Sequence, residues 1–537
     1  MSDTHFNVIV LGTGLTESIA AAALSKAGFK VAHLDQNPYY GGDEASLTLD
    51  ELIQWVDSNT TNEAHGKSAF HAQTAKFTSI SHSGDLLPNS RQYSISLWPS
   101  IIPSTGPLIS SLIGSGVSRY GGYKLLERIA VFSSGQVRNV PGSKEDVFKN
   151  KDLSLLEKRR LMRFLMFASG EFEGKPELEG NESSPFSEFL RAKFSLKDDV
   201  VEAVTYALAF CTSSADPTLP ALHRIRRYLV SSGRYGASPF LIGQYGGAGE
   251  IAQGFCRASA VHGGVYILGR KIAAVSDSSD SSENPRLSVE LEDLEDKLTC
   301  DLLVLSPNYV PSNLRSAAVT VSSDSERVND DSPASVARCI AIFDGPIILP
   351  YSPAQPPAAA GEATEGDAAS TESESHSKVD TAVLVFPPGS IEGGNATVAA
   401  TVLLTGEGTM SSPTGKCIAY ISIPALASDT SAETLLQPYL RATLASITQP
   451  GPQSVPLFSL FYLHHPPASP TSSSPPKLLV TPNASNLLPE SMDSATKNAE
   501  AVFWEALKVL QSDGQEGGKA ESFWPPLETQ DEDEEGW

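Results

Sequence analysis

The sequence predicts an α/β protein in which a small all-α domain is inserted into a Rossmann-type large domain. Residues 6–11, FNVIVL, form an apolar run typical of a buried parallel strand. A glycine turn and an alanine-rich helix follow, and a second short strand, KVAHLD, ends at an acidic residue. Farther along, about 143–222 has helical character and separates two regions rich in strand-like segments. An alternation of this kind is typical of the α/β class.

The same patterns divide the chain. We expect a large domain in two parts, residues 1–142 and 223–510, with the helical domain at 143–222 between them. The low-complexity stretch 352–379 predicts a disordered insertion, and 511–537 predicts an acidic, flexible tail.

Three local patterns give more detailed expectations. Residues 57–91 are polar and irregular, which favours a surface insertion. Residues 107–119, PLISSLIGSGVSR, predict an apolar helix. Residues 127–141, ERIAVFSSGQVRNVP, predict a hairpin with a serine–glycine turn.

Charge and composition restrict the partners. The 537 residues carry a formal net charge of −24, which disfavours nucleic acid and broad attachment to anionic membranes. Five scattered cysteines, with no C-x-x-C pair, favour a reducing compartment over a disulfide framework or a zinc site. The N-terminal segment lacks the basic region of a secretory signal, and no apolar run approaches about 20 residues. We therefore expect a cytoplasmic protein whose membrane contact is transient.

The glycine turn departs from the dinucleotide-binding fingerprint. Gly12 and Gly14 fit the tight turn and the close approach of backbone to a pyrophosphate. Glu17 occupies the position of the third glycine, where its carboxylate suits the helix dipole but repels a phosphate. Asp35 lies where an acidic residue would hold a ribose. The pattern predicts a vestigial dinucleotide loop and no cofactor.

A flavin-dependent oxidoreductase is the rival class. The sequence shows no paired acid and base constellation and no strand–G-x-S-x-G–helix elbow, so no catalytic residue is expected. His464 and His465 are adjacent, but neither a carboxylate nor a third ligand stands at metal-site spacing. We interpret this pair as a strand end and expect no metal.

Several motifs share a resemblance. GTGLTES is followed by DQNPYYGG, and SRYGGYKLLERIAVFSSGQVRNVPGSKEDVF leads into LEKRRLMRFLMFA. Residues 233–268 read GRYGASPFLIGQYGGAGEIAQGFCRASAVHGGVYIL. These blocks span most of residues 1–275, and the chain resembles the superfamily of Rab GDP-dissociation inhibitors and Rab escort proteins. The resemblance implies a FAD-monooxygenase-like scaffold that does not use flavin, and a platform that binds GDP-bound Rab GTPases.

By position, the resemblance implies that Tyr40, Glu250, Arg257 and Ile267 form the Rab-binding platform. If the segment from Glu250 to Arg257 is helical, a spacing of seven puts both on one face, available for charge-assisted bonds. Two plainer interpretations stay open: Tyr40 in the core, and an ion pair between Glu250 and Arg257. The family usually has proline where this chain has Ala252, and YGGAGE is one residue longer, so the placement of Glu250 is weaker.

The resemblance favours the escort branch. GVSRY, GFCR and the longer chain fit proteins that present unprenylated Rab to the α/β heterodimer of Rab geranylgeranyltransferase and then chaperone the product. It implies that Phe148 and Arg159 contact the transferase. Phe148 could instead be a hydrophobic staple, and Arg159 could pair with Glu157. The alternative function is a GDP-dissociation inhibitor that retrieves prenylated Rab.

A geranylgeranyl group on Rab would need an apolar slot. The candidate lipid-binding residues are apolar and lie on one predicted helix, with Val201 and Val204 on a later one; they are Leu161, Phe164, Leu165 and Phe167. At helical spacing, ordinary core is the alternative interpretation. In either case the chain is expected to be a non-catalytic accessory component.

Overall fold

The computed structural model describes residues 4–60, 76–84, 87–140, 153–278, 286–311, 314, 318–321, 335–350, 376–425, 430–448, 455–467, 477–512 and 520–524. Within these ranges the chain forms two eight-stranded sheets, three smaller sheets and ten α-helices. None of the described helices is both long enough and apolar enough to cross a membrane.

The first sheet carries the glycine turn and is parallel at its centre. Its strands are β1 (His5–Leu11), β2 (Val31–Asp35), β11 (Val265–Leu268), β12 (Ile272–Ser278), β13 (Arg286–Leu291), β14 (Leu298–Leu305), β15 (Val319–Thr320) and β23 (Leu478–Val480). The order is β11-β2-β1-β14-β13-β12, with β23 beside β14 and β15 beside β23. Leu11 pairs in register with Leu34 and Leu305, so the carboxyl ends of three parallel strands meet at the glycine turn.

The second sheet is mainly antiparallel. Its strands are β4 (Phe77–Gly84), β8 (Arg128–Ser133), β9 (Gln136–Asn139), β16 (Ser335–Asp344), β19 (Thr381–Phe386), β20 (Ala400–Thr405), β21 (Lys416–Ala425) and β22 (Phe458–His464), in the order β4-β22-β16-β21-β20-β19-β8-β9. The expected hairpin is confirmed, because β8 pairs with β9 across the serine–glycine turn. The expectation of an irregular insertion at 57–91 is wrong in part, because β4 pairs with β22 and lengthens the sheet.

Seven short strands form the three smaller sheets, and ten α-helices complete the described fold. The remaining strands are β3 (Ser46–Leu47), β5 (Ile95–Ser96), β6 (Ile102–Pro103), β7 (Tyr123–Leu125), β10 (Phe240–Gly243), β17 (Ile347–Pro350) and β18 (His376–Val379). The helices are α1 (Leu15–Lys26), α2 (Leu49–Thr60), α3 (Pro107–Ser115), α4 (Leu155–Ser169), α5 (Phe186–Phe194), α6 (Asp198–Glu202), α7 (Thr218–Ser231), α8 (Ala248–Val261), α9 (Ala432–Ile447) and α10 (Ser491–Ser512). The apolar helix expected at 107–119 is present as α3 and a following 3₁₀ turn.

Helix α1 packs closely between the first sheet and its neighbouring helices because its side chains are small. Ala20, Ala21 and Ala23 are fully buried, and α8 and α10 lie against them in one hydrophobic cluster. The Ser25 and Ser259 hydroxyls join α1 to α8 at 2.8 Å. The glycine turn that precedes α1 is therefore held next to the turn that precedes α8.

Helices α4 to α7 form the helical region, which has an aromatic core. Its fully buried rings include Phe164, Phe186, Phe189 and Phe194, and the Phe164 and Phe194 centroids lie 5.2 Å apart. The core continues into the buried face of the second sheet. Helix α7 extends to Ser231, past the border expected at 222.

Two segments differ from the sequence expectation at their edges. The insertion at 352–379 lies largely outside the described residues, but its last four residues form β18 and pair with β17. In the tail at 511–537, residues 520–524 are packed: Phe523 is buried, and Trp524 stacks on Phe255 at 5.9 Å. The expectation of a wholly flexible tail is therefore wrong for these residues, because two aromatic side chains join the core.

Candidate functional site

The glycine turn is folded as a dinucleotide loop but is filled by protein. Gly12 has φ +97°, and a Cβ there would lie 3.2 Å from the Tyr309 ring. A Cβ at Gly14 would lie 2.5 Å from Oε2 of Glu17, so the Glu17 side chain folds back over the turn. Its other oxygen accepts a hydrogen bond from the Thr481 hydroxyl at 2.5 Å. The space over the loop, where a pyrophosphate approaches in dinucleotide-binding proteins, holds a carboxyl group.

The carboxylate expected to hold a ribose is saturated. Oδ2 of Asp35 accepts from the Thr13 amide at 2.8 Å and the Thr13 hydroxyl at 2.6 Å. Oδ1 accepts from the Asn37 amide and the Tyr309 hydroxyl, each at 2.8 Å. Burial raises the pKa of Asp35, and these hydrogen bonds oppose the rise. Little acceptor capacity is left for ribose hydroxyls.

The electrostatics of this cleft also oppose a dinucleotide. Burial raises the pKa of Glu17 to about 7, the Thr481 hydroxyl lowers it, and Asp43 and Asp35 raise it further. Burial, followed by the charges of Asp43 and Glu17, raises the pKa of Glu44 to about 8. A phosphate would have to enter beside four acidic side chains. The residues present do not fit a flavin or nicotinamide dinucleotide.

The histidine pair ends a strand, as expected. His464 is the last residue of β22, and its ring stacks on Phe77 at 5.2 Å and meets Trp98 edge-on at 4.8 Å. His465 is hydrogen-bonded through its ring to Thr78 and Ser335. In the part of the chain that the structure describes, no group of three His, Cys, Asp or Glu residues could hold a metal ion.

The predicted platform is built where the two glycine-rich turns meet. A Cβ at Gly41 would lie 2.9 Å from the Ala45 Cα and 3.1 Å from the Gly249 Cα, and one at Gly249 would collide with the Ser46 backbone. These close approaches bring the turn after Tyr40 against the start of α8. Tyr40 itself is partly exposed and meets the Tyr266 ring edge-on at 6.0 Å, so it is not a core residue.

Helix α8 presents the two charged platform residues. Glu250 is half-buried in the first turn, where burial raises its pKa, and its charge adds to the rise in the pKa of Tyr123 to about 12. Arg257 is exposed, and its guanidinium lies 4.5 Å above the Tyr120 ring. The alternative of an ion pair between Glu250 and Arg257 is not what the structure shows. Both charges remain available to a partner.

Of the remaining residues, the structure brings Tyr120 to this surface but not Ile267. Ile267 lies on the edge strand β11, pairs in register with Leu34 and packs, partly exposed, against the sheet face opposite α8. Tyr120 is 52% exposed, and sequence reasoning did not select it, although it stands in the SRYGGY motif. Its role as the support of Arg257 depends on a contact between residues 137 apart, which no local pattern indicates. We name the set Tyr40, Tyr120, Glu250 and Arg257 the α8 platform.

The helical region has a second exposed feature on α4. Ser154 and Glu157 form a capping box, and the Glu157 carboxylate pairs with Lys197 at 2.5 Å. Arg159 is exposed and makes no ion pair with Glu157. Three large apolar side chains are also exposed along this helix: Leu155 at 81%, Leu156 at 57% and Met166 at 65%. Phe148 lies outside the described residues.

The residues expected to line a lipid slot are core residues in this conformation. Leu161, Phe164, Leu165 and Phe167 are between 0% and 7% exposed and pack against one another and against α5 to α7. Val201 and Val204 are buried in the same cluster. A prenyl group could enter among them only if the helices separate.

The fold and the carboxyl group over the glycine turn identify the structural class of the protein. The chain has the fold of a Rab GDI from Plasmodium falciparum, with a TM-score of 0.61, 21% identity, and coverage of 94% of this chain and 98% of that one. It also has the fold of an oxidoreductase from Methanosarcina mazei, with a TM-score of 0.54, 14% identity, and coverage of 93% and 99%. This is an oxidoreductase-like scaffold in which a carboxyl group covers the glycine turn.

The family follows from the sequence comparisons. The family model described as GDI, GDP dissociation inhibitor, matches residues 1–349, and the chain belongs to this family. A Rab proteins geranylgeranyltransferase component A from Saccharomyces cerevisiae is 31% identical over 418 residues, 78% of this chain and 61% of the relative. Its counterpart from Drosophila melanogaster is 33% identical over 315 residues, 57% and 60% respectively. The chain thus spans about 60% of the length of these relatives.

Proposed function

We propose that this protein is a Rab escort component: it binds newly made GDP-bound Rab GTPases and presents them to the α/β heterodimer of Rab geranylgeranyltransferase. It then keeps the prenylated product in solution until delivery to a membrane. The observation that supports the proposal is the contact of the exposed Arg257 guanidinium with the exposed Tyr120 ring, in a GDI-family chain whose relatives are named component A. The protein acts in the cytoplasm with transient membrane contact, and the transferase supplies the chemistry.

The platform has the composition of a protein-binding surface. Tyrosine and arginine are enriched at the centres of interfaces, and Arg257 is held over Tyr120 before any partner arrives. Glu250, half-buried and without an ion pair to Arg257, offers an acceptor for a basic or amide group. Together they provide two charges of opposite sign beside an aromatic surface.

The transferase would dock on α4. Arg159 lies one turn from Leu155 and shares its exposed side of the helix, and Met166 lies two turns farther on. An arginine among exposed apolar side chains is typical of the centre of a protein–protein interface. We assign Phe148, just before this helix in sequence, to the same contact.

The lipid is assigned to the helical core. Leu161, Phe164, Leu165 and Phe167 offer a continuous apolar interior, and α6 passes directly into a π-helical turn at Ala203–Leu208. Such turns are frequent at functional sites. A geranylgeranyl chain would replace contacts within this cluster when α4 and α5 separate.

The deciding experiment measures geranylgeranyl incorporation into an unprenylated Rab by the catalytic heterodimer, with and without this protein. We expect strong dependence on the added chain. Arg257→Ala should reduce incorporation through Rab binding, whereas Arg159→Ala and Phe148→Ala should reduce it through the transferase while Rab binding is kept. Arg441→Ala, an exposed arginine on α9, is the matched control. Absence of stimulation would overturn the escort assignment.

The dissociation inhibitor is the second candidate, because the fold is that of a Rab GDI. Extraction of prenylated Rab from membranes, with no stimulation of the transferase, would assign the protein to that function instead. The Glu17 carboxyl group over the glycine turn argues against an oxidoreductase function. A purified protein that takes up added flavin would contradict this conclusion.

A further inference from the structure

A cavity of about 430 Å³ lies behind the α8 platform, at the carboxyl ends of β1 and β2. Its walls come from the glycine turn, α2, the end of β22 and the loops that follow β14 and β23. It occupies the remnant of the dinucleotide cleft, but the carboxyl groups described above have replaced the phosphate and ribose positions.

The lining is strongly acidic. Five carboxyl groups line the cavity, and they belong to Glu17, Asp35, Asp43, Glu44 and Glu51. Lys76 supplies the one ammonium group among the lining residues, and it pairs with Asp43. Asp35 is saturated, and Glu51 accepts from the amide and hydroxyl of Thr48. Glu17 accepts from the Thr481 hydroxyl, and Glu44 feels the charges of Lys76 and of the buried Arg338, but two cations do not balance five carboxyl groups.

An independent observation points to an occupant with polar groups. Three lining residues have buried polar atoms without a hydrogen-bond partner: Nε2 of Gln36, Oδ1 of Asn308 and both ring nitrogens of His464. His464 is only 2% exposed, and Asn308 only 8%. Buried polar atoms are rarely left unpaired, so several on one cavity indicate that something else completes their bonds. The neutral imidazole and the amide oxygen can both accept from N–H groups.

The cavity also has an aromatic wall. Trp55, Phe77 and Trp98 line it, and the Trp55 and Phe77 rings meet edge-on at 4.9 Å. Aromatic faces attract both aliphatic chains and ammonium groups. An acidic end, unpaired acceptors and an aromatic wall in one space are complementary to a positively charged organic molecule.

We propose that this cavity binds an aliphatic primary amine, with its ammonium group between Glu17 and Glu44 and its carbon chain against the aromatic wall. The positive charge relieves the repulsion between the two carboxyl groups and donates hydrogen bonds to them. Nucleotides and other anions are excluded by the same charges. The inference does not depend on the Rab-escort function, since the cavity is separate from the exposed platform.

Binding should release protons. Glu17 and Glu44 have pKa values raised to about 7 and about 8, so near neutral pH both are partly protonated in the free protein. An ammonium group beside them favours their ionised forms, and each carboxyl that ionises loses a proton to solvent. Amine affinity should therefore rise between pH 6 and pH 9. An amine that merely associates with the acidic surface would cause no such release.

The test is isothermal titration of the full chain with n-butylamine at pH 7.5 in 0.3 M NaCl, in two buffers of different ionisation enthalpy. 1-Butanol is the matched ligand without charge. We expect one butylamine bound per chain with proton release, and no binding of 1-butanol or of AMP. Glu17→Gln/Glu44→Gln should weaken butylamine binding at least tenfold, whereas Glu292→Gln, an exposed glutamate, should not.

The glutamine substitutions are isosteric with protonated carboxyl groups, and circular dichroism and the melting temperature will verify that the double variant is folded. No saturable binding by the wild-type protein would overturn the proposal, and so would binding that survives in the folded double variant. Loss of binding in Glu292→Gln would reveal surface association and would overturn it as well. None of these outcomes alters the transferase assay, so the two proposals fail separately.

Discussion

Two glycine-rich turns in this molecule have similar local sequences but differ in exposure: one is covered by its own glutamate, and the other remains accessible at the surface. Each precedes a helix with a glutamate in its first turn: Glu17 in α1 and Glu250 in α8. Glu17 is 4% exposed, folds over Gly14 and fills the former phosphate position. Glu250 remains partly exposed at the α8 platform. Packing around a turn, rather than its sequence, therefore decides whether a helix N-terminus is covered or accessible to a partner.

The two turns are also coupled, because α1 packs on α8. The loop that closes the cleft, Gly42–Glu44, follows directly after Tyr40 of the platform. The Gly41 amide donates to the carbonyl of Thr13 at 3.1 Å, which ties the platform turn to the glycine turn. One segment of the chain thus contributes both to the lining of the former cofactor cleft and to the α8 platform.

The largest expected effect comes from breaking the contact between the turns. Gly249→Val places a Cβ against the backbone of Ala45 and Ser46, which cannot move without displacing Tyr40. We expect the free energy of unfolding to fall by about 3 kcal/mol, at the upper end for an overpacked core. Chemical denaturation measures it, with Gln253→Ala on the exposed side of α8 as the control. An unchanged midpoint would mean that the turns are not in close contact.

The next effect should appear in binding alone. Arg257→Ala removes the exposed guanidinium and should weaken the affinity for GDP-bound Rab about 30-fold, which is about 2 kcal/mol. Because Arg257 is exposed, the melting temperature should stay within one degree or so of wild type. Titration calorimetry gives the affinity, and Arg441→Ala should match wild type. Equal binding by Arg257→Ala would remove the α8 platform from the mechanism.

The third prediction concerns the pH dependence of stability, which should differ between the covered turn near Glu44 and the exposed turn at Glu250. The folded-state pKa of Glu44, about 8, lies above that of an unfolded glutamate, about 4.5. The folded state therefore holds a proton that the unfolded state has lost, so this group lowers stability as pH rises from about 4.5 to about 8. Glu44→Gln should be nearly equal to wild type in stability at pH 4 and should become more stable than wild type as pH rises to 8.5.

Denaturation at both pH values measures this difference. Glu250→Gln is the control from the open turn, and because its carboxyl is only half-buried, its effect on stability should be much smaller. A Glu44→Gln profile parallel to that of wild type would show that the Glu44 carboxyl is hydrated and ionised in the folded protein.

The smallest expected effect tests the support of Arg257. Tyr120→Ala removes the ring below the guanidinium and should weaken Rab affinity by about 1 kcal/mol, whereas Tyr120→Phe keeps the ring and should retain nearly all of it. If Tyr120→Phe were as weak as Tyr120→Ala, the hydroxyl rather than the ring would be the contact.

The sequence alone determined the local elements. The apolar run at 6–11, the glycine turn and the alanine helix specify a strand, a turn and a helix through backbone and burial preferences that act within a few residues. The capping box at Ser154 and the hairpin of β8 and β9 follow from equally local chemistry. Apart from Tyr120, the residues of the α8 platform were predicted through motif resemblance, which gives positions but not contacts.

Only the tertiary structure decided what these elements do. One of the four hydrogen bonds that saturate Asp35 comes from Tyr309, 274 residues away, and Glu17 is held by Thr481, 464 residues away. Strand β4 and Phe523 come from polar or acidic stretches, yet each is fixed by apolar neighbours distant in the chain. The physical reason is that hydrogen-bond saturation and burial depend on which groups are brought together in space, and short-range sequence preferences do not encode that.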